Sequence, residues 1–369
     1  MRAHRLQEHS LRFPRTKSYE NVHVGFASHS AILLECRARE TTLQINSSRR
    51  PASRCADHSN GRYWEWHCAA LCGSGQRNAC DLVHGSLSDG GYWADQVGHF
   101  AEHYRAIAYS RRYNYPNNNP AQSGYSAVID AEDLAAFIHA LHLGKVVVIG
   151  HSYGALTALF LAAKHPELIR ALVLAEPPAI SLLEHLPGDE AKTGEAMYQD
   201  IQRRMVLPMQ QAFRRGDRDA GIGVFIDYVF NNPHAWDQMA KSAREETLRD
   251  AHEWDVMMTT GTLFPDIQPK TIREITVPVL LLSGAKSYPF LELISEELAR
   301  LLPNHEAIFL PDAGHQMWYQ APDVCRKDVE AFLLRISIQS RLTSGPEQMG
   351  STRGWMVRNS ETIANKDQI

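Results

Sequence analysis

At 369 residues the chain has room for one large α/β domain with an insertion, and its length does not require several domains. A hydrophobic content of 44% beside 22% charged residues is that of an ordinary globular protein, and a formal net charge of -4 creates no field that would draw nucleic acid or a membrane surface. No apolar run approaches the roughly 18 residues of a membrane-spanning helix, so a membrane span and a nucleic-acid partner are both set aside.

Residues 1–79 are rich in Arg and Ser, have poor periodicity and carry no apolar signal-peptide core. They are expected to be irregular, either partly disordered with remodelled first strands or a stretch that is not natural protein sequence, as when a gene is read in a wrong frame. Arg2, Arg5, Arg12, Arg15 and Lys17 against Glu8 give an opening similar in composition to an organellar presequence; a cytoplasmic location is the alternative and the expectation adopted. Of the six cysteines, five (Cys36, Cys55, Cys68, Cys72 and Cys80) precede residue 81 and Cys325 stands apart. Cys68 and Cys72 have no matching second pair and only His67 beside them, so reduced intracellular thiols are expected rather than a metal site.

Gln76-Arg77-Asn78-Ala79-Cys80-Asp81 reads as too polar for a buried strand, and the apolar signal begins at Leu82-Val83. The Gly/Ser-rich run His84-Gly85-Ser86-Leu87-Ser88-Asp89-Gly90-Gly91 follows, with Tyr92 and Trp93 expected to pack beneath it. Tyr104 to Ala108 predicts a strand, after which Arg112 either braces the neighbouring loops or is solvated. Asp133-Leu134, Phe137-Ile138 and Leu141 recur at helical spacing. Val146 to Ile149 is a short β-branched run suited to a strand buried on both faces, and Leu156, Leu159, Phe160 and Ala163 predict a helix ending near His165-Pro166.

Between that strand and that helix lies Gly150-His151-Ser152-Tyr153-Gly154. A turn this sharp leaves no space for a Cβ two residues either side of the serine, so both flanks are glycine and the hydroxyl is lifted off the sheet above a helix N-terminus. Ile169 to Ala175 predicts another strand, ending at Glu176-Pro177-Pro178. From about 180 to 268, helical patterns alternate with breaks at Pro187-Gly188, Gly216-Asp217 and Asn231-Asn232-Pro233. Val279 to Leu282 and Ala307 to Leu310 predict the last strands, with Ala313-Gly314-His315 directly after the second. Glu292, Glu296 and Glu297 read as the exposed face of a helix. Pro322, Val324, Val329, Phe332 and Leu333 fit a closing helix, and residues 338–369 read as a disordered tail.

With its elbow, its His-Gly loop and its Ala-Gly-His loop in this order, the chain resembles the α/β-hydrolase fold family over residues 80 to 337, in the serine-nucleophile, cap-containing branch. The resemblance implies a mostly parallel, doubly wound α/β sheet. Its core is 80–179 and 269–337, and a helical cap spans 180–268. It implies Ser152 as nucleophile, His315 as base, and the amides of Ser86 and Tyr153 as the oxyanion hole. Most members place the acid in a Gly-x-x-Asp after the strand that here reads Val279 to Leu282, but that position is Ser287. A serine cannot hold a charged imidazolium, so either Glu176, at the end of the preceding strand, supplies the acid or Ser152 and His315 act as a dyad.

The implied reaction is hydrolysis of a carboxylic ester or related acyl compound with neither metal nor cofactor. The serine disfavours the aspartate-nucleophile chemistry of epoxide hydrolases and dehalogenases. Large soft side chains in the insertion, among them Met205, Met209, Phe213, Trp254 and Met257, imply a small apolar acyl substrate. Carbon–carbon bond hydrolysis of a vinylogous diketone, or a non-catalytic small-molecule-binding role, are the alternatives.

Overall fold

The computed structural model describes residues 78–117 and 119–343, the side chains as far as residue 339, together with the backbone of three strands nearer the N-terminus. Those strands are β1 (Ser53–Asp57), β2 (Arg62–Trp66) and β3 (Cys68–Cys72). β1 and β2 form an antiparallel pair by themselves, whereas β3 joins the main sheet antiparallel to β5 (Arg105–Tyr109). The tail beyond residue 343 lies outside the described residues, as does the whole segment before β1.

Six parallel strands make up the rest of that sheet: β4 (Ala79–Val83), β5, β6 (Val146–His151), β7 (Ile169–Ala175), β8 (Val279–Gly284) and β9 (His305–Leu310). Their order is β3-β5-β4-β6-β7-β8-β9. The chain runs outward from β4 to β5 in one direction and from β6 to β9 in the other, so the order reverses between β4 and β6. In an open α/β sheet the crevice beyond the carboxyl ends at such a reversal is where ligands bind.

Side chains alternate across the sheet and feed two cores. Val146, Val148, Leu172 and Leu174 face one layer with α2 (Ala127–Ala140) and α3 (Tyr153–Lys164). Val147, Ile149, Ala171 and Val173 face the other, with α1 (Ala94–Phe100) and the closing helix. Helices on both faces make the sheet doubly wound, as the β-branched runs predict.

The strand expected only from Leu82 begins three residues earlier, at Ala79, and all five of its residues are buried. Asp81 is the reason the pattern misleads. It is 0% exposed in mid-strand, and neither carboxylate oxygen has a hydrogen-bond partner among the described residues. Burial pushes its carboxyl up to about 7, with Arg105 pulling the other way. Register with Ile107 and Val148 on either side holds it in the sheet regardless. Cys80 and Cys325 are free, buried thiols; the side chains of the other four cysteines lie outside the described residues.

Between β7 and β8 the chain inserts α4 (Glu190–Ile201), α5 (Leu207–Arg214), α6 (Arg218–Val229), α7 (Ala235–Gln238), α8 (Lys241–Arg249) and α9 (His252–Thr259). The expected breaks fall between helices: Gly188 and Gly216 have φ of +58° and +76°, and Asn231 has φ of +45°. Met205, Met209, Trp254, Met257 and Met258 are core residues, while Phe230 is exposed. α10 (Pro269–Arg273) returns the chain to β8; α11 (Pro289–Leu301), α12 (Met317–Gln320) and α13 (Pro322–Thr343) complete the order. On α11 the expectation of three exposed glutamates is corrected: Glu292 and Glu296 are exposed, but Glu297 is buried and pairs with Arg300 at 3.0 Å. No described helix is long and apolar enough to cross a membrane.

Candidate active site

Ser152 has φ 52° and ψ -121°, a backbone region that a residue with a Cβ enters only when its surroundings hold it there. Three contacts do so. The Ser152 amide donates to Ala175 O at 2.8 Å, and the Ser152 carbonyl accepts from Ala155 and Leu156 as α3 begins. The flanking glycines supply the clearance: a Cβ on Gly154 would lie 2.2 Å from Val83 O, and one on Gly150 would lie 2.6 Å from Ala155 Cα. Gly85 brings a second loop to the same point, since a Cβ there would lie 3.1 Å from Ser152 Cβ. The candidate nucleophile and the loop carrying Ser86 thus approach so closely that a side chain at position 85 would crowd Ser152 Cβ.

Glu176 ends β7 at the same edge, 0% exposed and with φ of +49°. Its Oε1 accepts from the Gly284 amide at 2.8 Å; its Oε2 accepts from Ser287 Oγ at 2.6 Å and lies 2.6 Å from His315 Nδ1. The position where the resemblance expects an acid therefore holds a hydroxyl that donates to the carboxylate at the end of the neighbouring strand. Charge-assisted bonds of this kind fix the carboxylate and, through it, the imidazole plane. With Nδ1 engaged, Nε2 is the nitrogen of His315 left for a proton. Among the described residues no hydrogen bond joins it to Ser152 Oγ.

His151, inside the elbow, escaped the sequence reading. Its ring stacks on Tyr92 at 5.1 Å, sits 4.7 Å from the His315 ring, and donates from Nε2 to His315 O at 2.8 Å. Burial, and then the neighbouring His315, hold its pKa well below the ordinary histidine value, so it is a neutral donor. Tyr92 is accordingly a packing residue, as expected, and Trp93 is fully buried against Trp318.

Behind the Ser86 loop lies a set of buried charges. Arg111, 0% exposed, donates to Gly85 O at 2.9 Å, to Asp130 Oδ2 at 3.0 Å and to Glu253 Oε2 at 2.6 Å. Glu253 Oε1 accepts from the Leu87 amide at 2.6 Å, and burial pushes its carboxyl up to about 7 against the pull of Arg111. His84 Nε2 accepts from the Arg111 amide, so its ring proton sits on Nδ1 and is donated to Gly85 O at 2.8 Å. Arg112, for which bracing or solvation was open, braces: it is buried and forks onto both oxygens of Asp133. Tyr153 packs its ring 4.8 Å from the Arg111 guanidinium and donates its hydroxyl to Met257 Sδ. Among the described residues no group of three or more His, Cys, Asp or Glu side chains could hold a metal ion.

The chain is also similar to known proteins. A profile of the alpha/beta hydrolase family matches residues 82–327. The 2-(acetamidomethylene)succinate hydrolase of Mesorhizobium japonicum is 24% identical over 254 residues, 68% of this chain and 86% of that one. A putative carbamate hydrolase RutD of Klebsiella pneumoniae is 34% identical over 239 residues, 63% of this chain and 83% of that one. Among solved structures, a thermophilic esterase from Thermogutta terrifontis superposes with a TM-score of 0.54 at 21% identity, covering 77% of this chain and 99% of the esterase. The enol-lactonase from Burkholderia xenovorans LB400 gives 0.53 at 20% identity, covering 73% and 96%. With the elbow, the sheet order and the family match in agreement, the chain belongs to the alpha/beta hydrolase family.

Proposed function

We propose that the chain is a serine hydrolase that cleaves a carboxylic ester or related acyl compound through an acyl-enzyme on Ser152. The observation that carries this is the 2.6 Å contact between Glu176 Oε2 and His315 Nδ1, made by a buried carboxylate that two other donors already hold in place. A carboxylate so placed keeps the Nδ1 proton where it is and stabilises the imidazolium that forms when Nε2 takes a proton. In the reaction Nε2 comes within about 3 Å of Ser152 Oγ and removes its proton, and the hydroxyl attacks the acyl carbon. The amides of Ser86 and Tyr153 receive the oxyanion. His315 then returns the proton to the leaving group and activates the water that releases the acid.

Matches to relatives named for a succinate derivative and a carbamate support hydrolysis at an acyl carbon, and the reach of Glu253 from α9 to the Leu87 amide supports the insertion as a cap on the Ser86 loop. The test is a fluorophosphonate probe with an activated ester. Labelling at Ser152 and turnover that Ser152→Ala abolishes are expected; an unlabelled, inert wild type would leave the non-catalytic binding role as the better account.

A further inference from the structure

The two peptide groups around Ser86 are each gripped from behind by one half of a buried ion pair. Arg111 and His84 both donate to the Gly85 carbonyl, at 2.9 and 2.8 Å. In a planar trans peptide the N–H points opposite to the preceding C=O, so holding the Gly85 oxygen toward Arg111 turns the Ser86 N–H the other way. On the far side of Ser86, Glu253 takes the Leu87 amide at 2.6 Å, and Leu87 sits at φ of +54°, a conformation that leucine does not adopt unaided. Glu253 divides its two oxygens between these tasks, Oε1 to the loop and Oε2 to Arg111. Because Glu253 lies on α9 of the insertion, the grip joins the insertion to the loop.

We infer that Arg111 and Glu253 form a positioning clamp that aims the Ser86 amide at the reacting oxygen, so that the docked insertion completes the oxyanion hole. This rests on the serine-hydrolase reading above and adds to it a dependence on a residue that touches no substrate. The pair is closed to solvent, both side chains being 0% exposed, which gives its hydrogen bonds full strength and makes a half-satisfied version costly.

The experiment uses the full chain, with active sites titrated to completion by a fluorophosphonate so that kcat is expressed per competent site. Glu253→Gln has one acceptor oxygen and one NH2 group, so it cannot serve Leu87 and Arg111 together. Glu253→Asp keeps the buried charge opposite Arg111, and with it the fold, but is one methylene too short to hold both partners. For each, kcat on an activated ester is expected to fall by about tenfold or more with KM little changed, as when an oxyanion donor is lost. A role only in folding would lower the titrated fraction and leave kcat per site intact. Wild-type kcat in Glu253→Asp, or a rise in KM alone, would overturn the clamp while leaving the hydrolase reading standing. A wild type that neither labels nor turns over would overturn that reading first.

Discussion

Glu176 and Asp81 are both carboxylates and both 0% exposed, one directly after β7 and the other within β4 of the same sheet. Their surroundings could hardly differ more. Glu176 stands at the carboxyl end of β7 with two donors and an imidazole around it; Asp81 stands mid-strand with no partner for either oxygen among the described residues. A buried carboxylate with several partners is held in one geometry and is available for chemistry, whereas one without partners is a desolvated group that the fold tolerates at a cost. What separates a site from a defect is the set of donors in reach, and burial alone says nothing about which of the two is present.

Breaking the first side of the comparison should have the largest effect. Glu176→Gln keeps the shape and removes the charge, and kcat per titrated site is expected to fall by about 10² or more, measured on an activated ester. A variant with wild-type rates would retire Glu176 as the acid and leave Ser152 and His315 as a dyad.

The second side sharpens the contrast through stability. Asp81→Val places a β-branched side chain in a buried parallel strand and is expected to stabilise the fold by up to about 4 kcal/mol at pH 7, read by chemical denaturation. The effect depends on pH with a definite sign. The folded state raises the Asp81 pKa from 3.8 to about 7, so the neutral acid is favoured on folding. Its contribution is fully present below about pH 4 and is lost as pH rises through about 7. The stability gap between Asp81→Val and wild type should therefore widen over that window, to an order of about 4 kcal/mol at most. A gap that stays constant with pH would show that Asp81 does not titrate there.

The smallest effect belongs to Ser287. Ser287→Ala removes one of the donors on Glu176 but leaves the Gly284 amide and His315, so kcat should fall by only about threefold to tenfold, consistent with one hydrogen bond of about 1 kcal/mol. An effect as large as that of Glu176→Gln would mean that the hydroxyl, and not the carboxylate, holds the imidazole.

Much of the architecture was legible because it depends on local spacing. The elbow, the β-branched runs before it and after it, and the order of Ser152, Glu176 and His315 are all readable from neighbours in the chain. Glu176 stood out because Ser287 occupied the place of an acid, and the structure joins the two residues directly. The beginning of β4 was not legible, since one aspartate hides an apolar pattern that only the flanking strands reveal. Arg111 was passed over for Arg112 because its partner Glu253 is 142 residues away, and nothing local marks either as half of a pair. Glu297 fits the charged pattern of an exposed helix face, yet it turns inward toward Arg300.

The left-handed backbone at Glu176 has one more consequence. That residue both aims its carboxylate along the sheet edge and turns the chain out of β7, and the rigid, buried Pro177-Pro178 pair fixes the direction of departure. Everything that leaves through this corner, from Ile180 to the return at β8, is tethered downstream of the corner and can be lengthened, shortened or exchanged with the carboxylate's aim intact. A graft that replaces the insertion would thus do well to start after Pro178, because a junction one residue earlier would give the new segment control over where the imidazole points.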